Sequence, residues 1–145
     1  MFSRKIPKGK ALVVQHGGSK KVYTEGTVKL MPFVDKVLTE LDLEEQTLAV
    51  DKQPVVTKDG QTALISLVVR FYISQPEVYI QNAPERLEPA LTSLLMTASR
   101  DLVSCRERDK ALEELGRTLL AAAGAAVKQW GLTLSDAAVT EFENM

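Results

Sequence analysis

The sequence predicts an α+β fold: a mainly antiparallel sheet with helices packed on one face. Three observations predict it. Strand-like runs fill the first half of the chain, and helical runs striped with leucine and alanine fill the second. The third is size and balance: 145 residues, 45% hydrophobic and 26% charged, match a single ordinary domain spanning 1–145 behind a short basic lead-in, 1–5. A chain of this length buries roughly 68–70% of its unfolded surface, enough for a core without metal or disulfide.

Ala11 to Gln15 is a short apolar strand closed by the turn signal His16-Gly17-Gly18, and Gly26 closes the next stretch, Lys20 to Glu25. From Met31 to Leu43 the odd positions are largely apolar, which predicts a half-buried strand launched at Pro32-Phe33. Asp35 and Leu38 break the alternation and mark a bulge or bend. Lys58-Asp59-Gly60 separates the runs Thr47–Thr57 and Gln61–Ile73, a strong hairpin signal. In the second run Ile65, Leu67, Val69, Phe71 and Ile73 form one wholly apolar face.

The period then changes. Gln75-Pro76 opens a short helix over Glu77 to Gln81. Leu87, Leu91, Leu94, Leu95, Ala98 and Leu102 recur at helical spacing between Pro84 and Cys105. A further helix spans Asp109 to Gln129, striped by Leu112, Leu115, Leu119, Ala122 or Ala123, Ala126 and Trp130, with Gly131 as its stop. Leu132 to Glu143 reads as a closing strand.

Little in the sequence points to catalysis or cofactor binding. The single histidine, His16, leads a glycine pair as in the oxyanion loop of lipases. No Gly-x-Ser-x-Gly nucleophile elbow accompanies it, so it reads as a turn residue. The single cysteine, Cys105, lies near Arg106 and Arg108, which favour a reactive thiolate; it reads more simply as a half-buried space filler. No metal-ligand spacing and no phosphate-cradling glycine loop occurs, so neither metal nor cofactor is expected. The acid pairs Glu44-Glu45 and Glu113-Glu114 read as solvated surface charge. Aromatic residues are only 6% of the chain, and they are not interleaved with bases, which argues against nucleic acid as a partner. The longest apolar run, Leu119 to Val127, is about half of what a membrane-spanning helix needs.

Charge is unevenly spread. Residues 1–36 hold eight basic side chains against two acids, a balance of +6 that leaves −7 for the remainder. An anionic partner for the N-terminal edge follows from that asymmetry. Phe2, Arg4, Lys5, Lys8 and Lys10 are the candidate membrane-surface contacts.

An ordered set of motifs resembles the SPFH domain, the band-7 or stomatin–prohibitin–flotillin family. Ile6-Pro7-Lys8-Gly9 followed by Val13-Val14 and Gly18 is similar to the family's opening. Leu30-Met31-Pro32-Phe33-Val34-Asp35-Lys36-Val37 resembles its hydrophobic-Pro-Phe-hydrophobic-Asp-basic-Val segment. Leu43-Glu44-Glu45-Gln46 through Pro54-Val55-Val56-Thr57-Lys58-Asp59-Gly60 is the strongest match; Pro76, Asn82, Ala90-Leu91, Thr97 with Arg100, and Trp130-Gly131 continue it. The resemblance covers residues 6 to 143.

What it implies is scaffolding, not catalysis. Members are membrane-associated, assemble into rings or cages and often modulate membrane proteases or channels. Most carry a hydrophobic N-terminal segment and a long helical region after the domain, neither of which lies within 1–145. The expectation is therefore a non-enzymatic scaffold that self-associates as a homo-oligomer. It would be cytoplasmic, peripheral at the inner face of a membrane, and would touch lipid or a membrane protein weakly, with no small-molecule substrate. The alternative is a soluble regulatory or chaperone-like subunit that binds a protein partner by strand addition without membrane contact.

Overall fold

A computed structural model describes residues 2–106 and 108–144. The elements run β1 (Phe2–His16), β2 (Ser19–Leu30), β3 (Asp35–Asp42), β4 (Gln46–Val56), β5 (Thr62–Ile73), α1 (Pro76–Asn82), α2 (Leu87–Ser104), α3 (Arg108–Val127), a 3-10 turn (Lys128–Trp130) and β6 (Leu132–Asn144). The α+β class holds and all strand pairings are antiparallel. The strands divide into two sheets, ordered β2-β1-β3 and β4-β5-β6.

The second sheet carries the main core. β5 is central, with Ile65, Leu67, Val69, Phe71 and Ile73 all buried, as its alternation requires. Leu91 and Leu95 of α2 and Leu115, Leu119, Ala123 and Val127 of α3 pack with them. The hairpin at Lys58-Asp59-Gly60 forms as expected, with Gly60 at φ +80° and its N–H on Thr57 O at 3.0 Å. α2 starts at Leu87, not Pro84. Pro89 therefore falls in the first turn, where its missing N–H costs nothing. Gly131, at φ +76°, ends the 3-10 turn; its carbonyl receives the N–H groups of Ser74 and Gln75. In α3, Ala123 rather than Ala122 faces the core, and Val127 belongs to the stripe. Leu112 lies outside the residues whose side chains are described.

The first sheet departs most from expectation. β1 is three times as long as the Ala11–Gln15 run, because residues 2–6 find partners at 26–30. Gly26 does not end a strand: β2 passes through it and bends there, with Glu25 at φ +46° and Gly26 at φ +89°. β1 bends opposite, where its register jumps between Ile6 and Ala11 around Gly9 at φ +83°. Both strands thus fold over at one level. A straight strand of this length would span about 46 Å. Yet Leu30, opposite Phe2, and Asp35, opposite His16, are joined by only Met31–Val34. Five Cα steps reach at most about 18 Å, so the two ends of β1 meet at one pole. Between the halves lies a small second core of Ile6, Leu12, Val14, Val28 and Leu30.

Met31–Val34 is accordingly a turn and not the start of a half-buried strand. Pro32 has no N–H to give a ladder, and Phe33 sits at φ +70°. The break at Leu38 is a bulge: Val13 faces Thr39 while Val14 faces Val37.

Candidate functional site

The pole where the ends of β1 meet gathers much of the chain's unusual surface. Phe33 is fully exposed (107%), and Met31 and Val34 on either side are also exposed. One carboxylate holds this apolar turn. Asp35 Oδ2 accepts the Met31 N–H at 2.8 Å, and Oδ1 meets His16 Nδ1. The Asp35 N–H returns to Met31 O at 3.0 Å. The Met31 N–H, the His16 ring and the nearby Lys21 charge together hold the Asp35 carboxyl below the ordinary carboxylate range, the Met31 bond being the largest influence. Asp35 thereby latches the end of β2 to the end of β1.

Three lysines sit one residue back from the strand ends that meet at the pole. Register places Lys29 opposite Ser3, next to the Leu30–Phe2 pair. Lys20 and Lys36 flank Gln15 from either side. The sequence-based contact residues therefore separate. Lys5, opposite Thr27, lies one pair from the crease at Ile6 and Gly26, so it belongs with Lys8 and Lys10 at the bend and not at the pole. Arg4 is paired to Glu40 (3.6 Å) and Lys10 to Asp42 (3.5 Å), so part of the apparent N-terminal charge is internally neutralised. The Phe2 side chain lies outside the described residues. Sequence reasoning missed Met31, Phe33 and Val34 as surface residues because their apolar character read as burial.

His16 is placed by the latch. The hydroxyl of Ser19 donates to the His16 main-chain carbonyl at 3.5 Å. Cys105 is exposed at the end of α2, not half-buried, since the chain turns away there through Arg106. Arg106 in turn bonds Glu114 (3.2 Å) and the Leu102 carbonyl (2.9 Å), joining α2 to α3. Glu44 and Glu45 are exposed, and Glu45 accepts from Ser135 at 2.9 Å; the Glu113 side chain lies outside the described residues. Among the described residues no group of three or more His, Cys, Asp or Glu is arranged to hold a metal ion, and no helix is long and apolar enough to cross a membrane.

The folded-over sheet, the helix-covered second sheet and the Pro-Phe turn latched by aspartate define an SPFH-type module. The SPFH domain / Band 7 family model matches residues 4–143, and the chain belongs to that family. It is a scaffold-type family, generally non-enzymatic. Similar curated proteins include an uncharacterized protein of Mycobacterium tuberculosis, 26% identical over 134 residues, covering 90% of this chain and 35% of the relative. An uncharacterized protein of Mycobacterium bovis gives the same figures. One from Methanothermobacter thermautotrophicus is 26% identical over 128 residues, covering 86% of this chain and 40% of the relative. The chain thus spans well under half the length of these relatives.

Proposed function

We propose that the protein is a non-catalytic scaffold module that rests its latched pole on an anionic membrane surface and organises protein neighbours by self-association. The observation that carries this reading is the exposed Met31-Pro32-Phe33-Val34 turn, with Lys20, Lys29 and Lys36 each one residue back from the strand ends that meet there. An apolar tip with basic flanks suits the boundary between acyl chains and headgroups. Each lysine near such a surface contributes about 1 kcal/mol, and the attraction is screened by salt. Arg4 and Lys10, already paired to acids, contribute less in this reading, and Lys5 and Lys8 act only if the bend also approaches lipid.

Vesicle flotation tests it. The protein should float with phosphatidylglycerol-containing vesicles at low salt, stay down with pure phosphatidylcholine, and lose attachment as salt rises. Phe33→Ser should weaken flotation without changing the melting temperature, since the Phe33 side chain is fully exposed. Equal behaviour on the two vesicle types would remove the lipid reading.

A further inference from the structure

β4 is an outer strand: β5 pairs with one side of it, and among the described residues its other edge carries no strand. A groove follows that edge, lined by Leu48, Ala49 and Gln53 of β4 and by the face of α2 that bears Glu88, Thr97 and Arg100. Leu48 and Ala49 point to opposite faces of the sheet, so a groove touching both runs along the rim and not across a face. Strand and helix run in the same direction, because the Lys58 N–H just past β4 donates to Arg106 O just past α2 at 2.9 Å. Glu88 to Arg100 is about 18 Å of helix. Leu48 to Gln53 spans the same length as Val69 to Ile65 of β5, about 13 Å, because the bulge takes up one residue. The groove therefore has the length of four or five extended residues, with Glu88 at the Leu48 end and Arg100 at the Gln53 end.

Half of the edge is closed to pairing and half is open. The ladder breaks between Val50 and Gln53, Lys52 sits at φ +32°, and Pro54 has no N–H to offer. Gln46–Val50, by contrast, holds neither charge nor proline, the devices that usually blunt an edge. Arg100 makes no ion pair among the described residues, and Ser93, Thr97 and Arg100 make no side-chain hydrogen bond there. A guanidinium beside free hydroxyls is a receptor for a carboxylate.

We propose that this groove binds an extended segment of another protein, which adds as a strand to Gln46–Val50 and sets an Asp or Glu side chain against Arg100. Main-chain pairing supplies affinity and Arg100 supplies selectivity, the division of labour found in strand addition. The occupant is a peptide and the groove is not part of the latched pole, so this inference stands or falls apart from the lipid reading.

Selection of short linear peptides from a random displayed library on the full chain tests it. The winners are then measured by fluorescence anisotropy and by amide hydrogen exchange of the complex. Expected are an acidic residue at a fixed position, slowed exchange at Gln46–Val50, and at least about tenfold weaker binding to Arg100→Glu. Replacing the peptide's acidic residue by lysine should cost as much on the unaltered protein, which covers the case of a variant that does not fold. No selected peptide, protection elsewhere, or affinity indifferent to both charge changes would overturn the proposal.

Discussion

Single residues decide two things here, the latch and one tight crossing. Asp35 is held below its ordinary pKa by the Met31 N–H, His16 and Lys21 in the folded chain, and returns to about 3.9 when unfolded. Its contribution is present above about pH 4 and is lost as pH falls through the lowered folded value. Asp42, held low by the Glu44 N–H and Lys10, acts with the same sign. Asp35→Asn should therefore flatten the fall in stability below about pH 4, read as urea midpoints across the acid range. At the crossing, a Cβ on Gly131 would lie 2.4 Å from Gln75 O and 2.6 Å from Tyr79 N. Gly131→Ala combines that collision with a left-handed backbone and should cost at least about 2 kcal/mol in equilibrium unfolding.

The elements differ in how much tertiary packing sustains them. Leu119 on α3 is fully buried against the second sheet, so Leu119→Ala should cost about 2–5 kcal/mol in urea denaturation. This layer is also what the sequence made readable. β5 announces itself by strict alternation, Asp59-Gly60 by turn chemistry, and α2 and α3 by leucine spacing, because each signal arises from local geometry meeting one flat core. β2 and β3 were harder. Gly26 looks like a terminator when read along the chain; only pairing with 2–6 makes it a bend within a strand. Met31 and Phe33 share the alternation of the residues after them, yet sit outside the ladder. Their exposure follows from the bonds of Asp35 to Met31, four positions away, and to His16, 19 positions away, which leave no periodic trace.

At the scale of the whole molecule, two cores of unequal size share one chain. Among the described residues, the core between the folded halves of the first sheet holds five buried side chains; the helix-covered core is far larger. Local opening follows buried apolar area. Amide hydrogen exchange should therefore show β1–β3 exchanging as a group before the centre of β5; uniform protection across both sheets would contradict this. That the strands form two sheets was not legible, since strand patterns record which faces are apolar and not which core each face meets.

The fold-over also fixes alignment. In a flat sheet a strand can slide by two residues and keep the same side chains inward. β1 cannot, because Gly9 must sit at the crease while Phe2 and His16 keep their partners at the far ends. The crease thus works as a detent against slippage. It leaves Pro7–Lys8, where no ladder pair is made, as the stretch able to absorb one inserted residue, while the same insertion within Leu12–Val14 would displace every contact beyond it.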